Sequence, residues 1–224
     1  MYTYTNCVEI AQGAYGSVIR GVQVKEGKPV RLVAIKRLIE KPSDERNFIA
    51  QNPQEEVQIM HSISHPHVMK ALDYFVEDGY SYIVMPFCPL NIAELIYENT
   101  ACIPLRVIQC LFYQMMSGLA CMHQQDVIHK DLKPRNLLIT QYGELVITDF
   151  GQSYQKIASA GTRNYRAPEA ALNLAYDKPA DIFAAGCVLF EIVCQRQLFT
   201  AMNDIELIVQ QNQLIGPLSQ SQTL

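Results

Sequence analysis

The chain has 224 residues, which suits one large domain or two small lobes. With 49% hydrophobic and 18% charged residues, the composition is that of a globular protein and excludes collagen-like and low-complexity classes. The 22 acidic residues outnumber the 18 basic ones, which gives a formal charge of −4. A basic surface for nucleic acid or anionic lipid is therefore not predicted, and we expect neither kind of partner.

No targeting or membrane segment is predicted. The longest apolar run, Ile182–Phe190, is too short for a bilayer, which takes about 20 residues. Met1–Ile10 has neither the basic nor the apolar region of a signal peptide. The seven cysteines form no Cys-x-x-Cys pair and have no histidine at a zinc-finger interval, so zinc is not predicted. Reduced thiols indicate a cytoplasmic or nuclear protein.

The first third of the chain has the pattern of β-strands. Three segments rich in β-branched side chains are separated by glycine-containing turns: Thr3–Ile10, Val18–Val24 and Val30–Lys36. A polar loop is predicted over Lys41–Gln51. Asn52-Pro53 then has the pattern of an N-cap followed by the first helical position. Another strand is predicted over Tyr80–Met85.

Beyond Pro86 the pattern becomes helical. Apolar residues over Val107–Met122 follow helical spacing and predict an amphipathic helix. Asp181–Val193 is apolar nearly all round, which predicts a fully buried helix. Strands first and helices later indicate an α+β protein of two unequal lobes, residues 1–85 and 86–224.

Two features of the first part could bind phosphate. The hairpin at residues 10–18 carries small side chains that would let a backbone approach a phosphate closely. Taken alone, a hairpin with two glycines is more often only a hairpin. Lys36 follows three apolar strand residues, and taken alone it is better interpreted as a solvated strand end.

A second group of motifs carries the functional argument. Asp131, Lys133 and Asn136 lie close together in a predicted loop, where they offer a base, a cation for phosphate and a metal-binding amide. Asp149-Phe150-Gly151 adds an acid before a flexible glycine, and Ala167-Pro168-Glu169 closes the segment. Each tripeptide is common by chance, but their order along the chain is not.

In this order the motifs resemble those of a eukaryotic-type serine/threonine protein kinase, closest in pattern to the cyclin-dependent and mitogen-activated group. The resemblance runs from about Thr3 to about Ile215. It implies a bilobal α+β kinase fold with a small β-rich N-lobe and a larger helical C-lobe. It also implies phosphorylation of serine or threonine hydroxyls in protein substrates, with ATP and Mg²⁺. Relatives continue for two more helices, so a C-lobe truncated after its third large helix region is expected.

The resemblance assigns roles to individual residues. Asp131 becomes the catalytic base, Lys133 steadies the γ-phosphate, and Thr162 bonds both. Asn136 and Asp149 become the magnesium ligands. The nucleotide contacts span the glycine-rich loop, the strand lysine with its helix partner, the hinge and the apolar slots around the purine: Ile10, Ala11, Gln12, Gly13, Ala14, Tyr15, Gly16, Ser17, Val18, Ala34, Lys36, Glu56, Phe87, Cys88 and Leu138.

The chain departs from the family pattern in several places. Ala11 replaces the first loop glycine, and Lys130 replaces an arginine, which keeps the charge but loses the bidentate fork. Relatives pair the equivalent of Glu169 with an arginine beyond the end of this sequence. Ser159 lies nearest to where relatives carry an activating phosphate. With Lys130 nearby, we expect substantial basal activity and a modest response to phosphate there.

Two other functions stay open at this point. One is a pseudokinase that binds ATP or acts as a scaffold, and the other is a small-molecule phosphotransferase of related fold. Lys133 and Thr162 favour a peptide substrate. In the resembling group the arginine equivalent to Arg166 helps to accept proline after the phosphorylated residue. A regulatory subunit or self-association through an exposed C-lobe surface is a further expectation.

Overall fold

The computed structural model describes residues 2–13, 16–39, 52–98, 101–153, 161–174 and 176–216. A five-stranded antiparallel sheet forms its first part, with the order β1-β2-β3-β5-β4. The strands are β1 (Tyr2–Gly13), β2 (Gly16–Lys25), β3 (Lys28–Ile39), β4 (Asp73–Glu77) and β5 (Tyr80–Pro86). The four predicted strands are confirmed, and β4 was not predicted. The division between residues 85 and 86 stays a prediction, although β5 ends there.

Helix α1 (Pro53–Ser62) begins where the sequence indicates. The side chain of Asn52 accepts a hydrogen bond from the backbone N–H of Glu55, and Pro53 occupies the first turn. The acidic side chains of Glu55 and Glu56 in that turn interact favourably with the positive end of the helix dipole. The helix buries Glu56 beneath the sheet, with 2% of its surface exposed.

The second part is mainly helical. Its helices are α2 (Ile92–Tyr97), α3 (Leu105–Gln124), α4 (Pro168–Ala171), α5 (Lys178–Cys194) and α6 (Asp204–Ile215). A small sheet joins β6 (Leu90–Asn91), β7 (Leu137–Ile139) and β8 (Leu145–Ile147) in that order. Short 3₁₀ turns cover Pro134–Asn136 and Arg163–Tyr165. In the described part of the chain, no helix is both long and apolar enough to cross a membrane.

The main core lies where α3 and α5 pack together. The buried residues of α3 recur at helical spacing, which confirms the predicted amphipathic helix. The prediction of a fully buried helix at 181–193 is wrong for one face of α5. Ile182 and Val193 are 44% and 55% exposed, because no described element covers this side.

Gly118 lies in α3 where the helix meets β8. A methyl group added there would lie 2.8 Å from the His67 carbonyl oxygen and 2.8 Å from Ile147 Cδ1. We expect Gly118→Ala to lower the free energy of unfolding by roughly 1–3 kcal/mol, since backbone atoms cannot easily move aside. Gly186→Ala in α5 is the matched control, because no described atom lies within 4 Å of its added methyl group. Urea denaturation measures both, and equal midpoints would contradict this close approach.

Candidate active site

Lys36 on β3 joins two acidic residues from distant parts of the chain. Its Nζ lies 2.8 Å from Glu56 Oε1 on α1 and 2.9 Å from Asp149 Oδ1, which follows β8. Burial alone would lower the pKa of Lys36, but the two carboxylates outweigh it and hold the pKa well above its usual range. The same ammonium lowers the pKa of Asp149 to about 2. Lys36 and Asp149 are therefore both charged at neutral pH, whereas burial raises the pKa of Glu56.

Asp131 is the centre of a second cluster and is only 9% exposed. Thr162 donates both its backbone N–H and its hydroxyl to Asp131 Oδ1, each at 2.7 Å. Lys133 Nζ lies 2.6 Å from Asp131 Oδ2 and 2.9 Å from the Thr162 hydroxyl oxygen. The amide nitrogen of Asn136 donates to the Asp131 backbone carbonyl at 2.8 Å. The structure thus brings together the three residues predicted as catalytic, and Asn136 beside them.

Asp181, fully buried on α5, fixes the backbone of the loop that precedes Asp131. Its carboxylate accepts the backbone N–H groups of His129 and Lys130 at 2.8 and 2.9 Å, and lies 2.8 Å from His123 Nε2. The His129 ring meets Phe150 edge-on, with the ring centroids 5.7 Å apart. Lys130 has a φ of +68°, a strained conformation that these fixed contacts maintain.

A cleft of about 370 Å³ lies between the two clusters. Its size suits a small-molecule ligand. The residues lining it come from the hairpin, from β3 and from the loops after α3 and β8: Ala11, Gln12, Gly13, Gly16, Ser17, Val18, Lys36, Leu38, Lys133, Arg135, Asn136 and Asp149. Leu38 and Arg135 were not predicted. Arg135 lies between two predicted site residues, which was the available signal.

The other predicted nucleotide contacts lie outside this lining. Ile10 is 50% exposed on β1, and Glu56 lies behind Lys36. At the predicted hinge, Phe87 donates its backbone N–H to the Leu32 carbonyl at 3.4 Å. Burial raises the pKa of the neighbouring Cys88 thiol to about 11.

Two further predicted contacts, Ala34 and Leu138, are half-buried on β3 and β7. Ala14, Tyr15 and Ser159 lie outside the described residues. Within the described ranges, the Glu169 carboxylate has no hydrogen-bond or ion-pair partner.

The comparisons with known proteins agree with this geometry. The protein kinase domain family matches residues 4–222. Serine/threonine-protein kinase ICK of Mus musculus is 31% identical over 96% of this chain, which spans 34% of that relative's length. Cyclin-dependent kinase-like 5 of Homo sapiens is 27% identical over 95% of this chain, which spans 22% of that relative.

A solved structure supports the same assignment. A chain of the yeast RNA Pol II CTD kinase CTDK-1 complex superposes with a TM-score of 0.78 and 25% identity, covering 95% of this chain and 70% of that one. The predicted kinase fold, with its N-terminal sheet and helical second part, is confirmed. Protein kinases generally use ATP and Mg²⁺. The chain belongs to the protein kinase family.

Proposed function

We propose that this protein transfers the γ-phosphoryl group of ATP to serine or threonine hydroxyls in protein substrates. The observation that carries the proposal is the pairing of Lys36 with both Glu56 and Asp149 at one side of the cleft. Phosphoryl transfer needs little covalent help from the protein, and its barrier falls mainly through positioning and charge neutralisation. A fixed ammonium between two carboxylates supports such positioning.

The residues of the second cluster fit the remaining roles. Asp131 accepts the proton of the substrate hydroxyl as that oxygen attacks, and Thr162 fixes the orientation of the carboxylate. Lys133 provides a cation beside the base, where negative charge develops on the transferred group.

The donor set on the cleft wall fits Mg²⁺. The Asn136 amide nitrogen is engaged with the Asp131 carbonyl, which leaves its Oδ1 to coordinate a cation. Asp149 adds a carboxylate, and oxygen ligands of this kind are what Mg²⁺ prefers. When bound there, Mg²⁺ would neutralise charge on the phosphate oxygens.

The hairpin also fits a nucleotide. Gly16 lines the cleft and packs so closely against β3 that an added methyl group would lie 2.0 Å from the Arg37 carbonyl oxygen, so this position of the hairpin requires glycine. The hydroxyl of Ser17 is buried and has no hydrogen-bond partner in the described part of the chain, although the residue lines the cleft. A phosphate oxygen at this position would satisfy it.

The test is transfer of radiolabelled phosphate from ATP to a generic basic protein, with Asp131→Asn as the inactive control. Label in the protein serines and threonines, absent with the control, would support the proposal. ATP binding without transfer would instead indicate a pseudokinase. Label in a small hydroxylated compound, with none in protein, would indicate a small-molecule phosphotransferase.

The geometry around Arg166 supports a preference for proline directly after the phosphorylated residue. Its Nε and Nη2 donate to the Gly161 carbonyl at 3.0 and 2.9 Å, so this oxygen is already occupied. A substrate residue with a backbone N–H would find no acceptor there, whereas proline has no N–H to satisfy. We expect replacement of that proline by alanine in a peptide to slow phosphorylation about tenfold. Initial rates on the paired peptides measure this, and equal rates would remove the proline preference.

Assembly and location are also proposals. An apolar surface on α5 and α6 would suit a regulatory subunit or self-association, with Ile182, Val193 and Ile205 all exposed. The similar yeast structure is a kinase complex, which supports the first possibility. A cytoplasmic or nuclear location remains the prediction from the thiols.

A further inference from the structure

Helix α6 contacts residues 161–166, named here the substrate loop. One oxygen of Asp204, in the first turn of α6, accepts hydrogen bonds from Arg163 Nε and Arg166 Nη1, both at 3.1 Å. From the same helix, buried Gln211 donates its amide nitrogen to the Arg166 backbone carbonyl at 2.8 Å. The loop is therefore held by α6 at a side chain and at the backbone.

Arg166 passes this constraint toward the base. Its Nε and Nη2 donate two hydrogen bonds to the Gly161 carbonyl, whereas Nη1 donates to Asp204. Gly161 has a φ of +89°, and an added methyl group would lie 2.3 Å from the Lys130 carbonyl oxygen. The next residue, Thr162, donates twice to Asp131. Asp204 is thus linked to Asp131 by an unbroken series of hydrogen bonds and one covalent step.

Asp204 carries the negative charge that holds Arg163 and Arg166 in place, so the other hydrogen bonds of the series depend on it. It is the carboxylate that separates two guanidinium groups, which would otherwise repel each other. Its place in the first turn of α6, after the N-cap Asn203, stabilises its negative charge. The Arg166 side chain is only 16% exposed and Asp204 is 42% exposed, so water would replace the lost charged partner only in part.

We infer that Asp204 is a positioning residue for the peptide substrate, acting on Asp131 through Arg166, Gly161 and Thr162. The inference rests on the proposed function, since it concerns the same site. Asp204 is not among the residues that line the nucleotide cleft. Its loss should therefore affect the use of peptide and leave the use of ATP unchanged.

The experiment compares Asp204→Ala with Asp126→Ala. Asp126, in the turn after α3, forms an ion pair with Lys178 on α5 and has no bond to the substrate loop, so it controls for removal of a carboxylate from an ion pair. We expect Asp204→Ala to lower kcat/KM for a proline-containing peptide about tenfold, with the KM for ATP within about twofold of wild type. Asp204→Glu should restore most of this loss, and Asp126→Ala should match wild type.

A second measurement does not need activity. Amide hydrogen exchange over the substrate loop should be about tenfold faster in Asp204→Ala, because the Thr162 amide is protected by its bond to Asp131. If the alanine variant does not fold, Asp204→Asn, which keeps the side-chain shape, is used for both measurements. If the wild-type protein transfers no phosphate but Asp204→Ala still exchanges its loop amides faster than wild type, the result would support the positioning role and remove the proposed function. Unchanged peptide kcat/KM, or an equal loss for peptide and ATP, would overturn the inference.

Discussion

Replacing Lys36 by methionine is expected to lower the rate of phosphoryl transfer by about 10²–10⁴ while leaving the fold intact. The ammonium is the cation that both Glu56 and Asp149 contact on this side of the cleft, so its loss removes positioning and charge together. The variant should still fold, because burial raises the pKa of Glu56 and its carboxyl can take up a proton once its partner is gone.

The chain offers a matched control on the same strand. Arg37→Met removes a cation whose partner, Glu9, lies 3.4 Å away at an exposed position, and it should leave transfer unchanged. Transfer is measured with radiolabelled ATP, and folding by circular dichroism. A folded Lys36→Met protein with wild-type turnover would refute the assignment of this site.

Asp131→Asn and Asp149→Asn should both reduce transfer by about 10²–10⁴, but for different reasons. Asp131 is bonded to Lys133 and Thr162, which suits a base, so its variant should keep wild-type affinity for Mg-ATP. Asp149 lines the cleft beside Asn136, so its variant should bind Mg-ATP about tenfold more weakly.

Calorimetric titration with nucleotide separates these two roles. Repeating it in chelator, without Mg²⁺, provides the control, because the difference between the Asp149 variant and wild type should then shrink. An equal loss of Mg-ATP affinity in both variants would contradict the division into base and metal ligand.

Local signals in the sequence were sufficient for the longer elements. Asn52-Pro53 marked the start of α1, and apolar spacing marked α3. The short α2 was missed, although Asn91 and Glu94 form a capping box that the structure shows intact. The start of α6 was missed in the same way, since Asn203 caps it through the Glu206 amide. A capping residue predicts a helix only weakly where no long stretch of regularly spaced apolar residues follows it.

The site was predicted through motif order rather than through local chemistry. Lys36 and Asp149 are 113 positions apart, and their contact depends on how the sheet and the later loops fold together. The same is true of Asp204 and Arg166, which no motif connects. The apolar pattern of α5 alone predicts a buried helix, and the expectation of an exposed C-lobe surface came only from the family resemblance.

The half-buried thiol of Cys88 has a consequence for ligand chemistry. Because burial raises the pKa of this thiol to about 11, the thiol is almost entirely protonated at neutral pH. Since the thiolate is the nucleophile, an electrophilic compound placed against Cys88 would meet a group that reacts slowly. A ligand bound beside Cys88 would therefore depend on reversible contacts rather than on a covalent bond to this thiol.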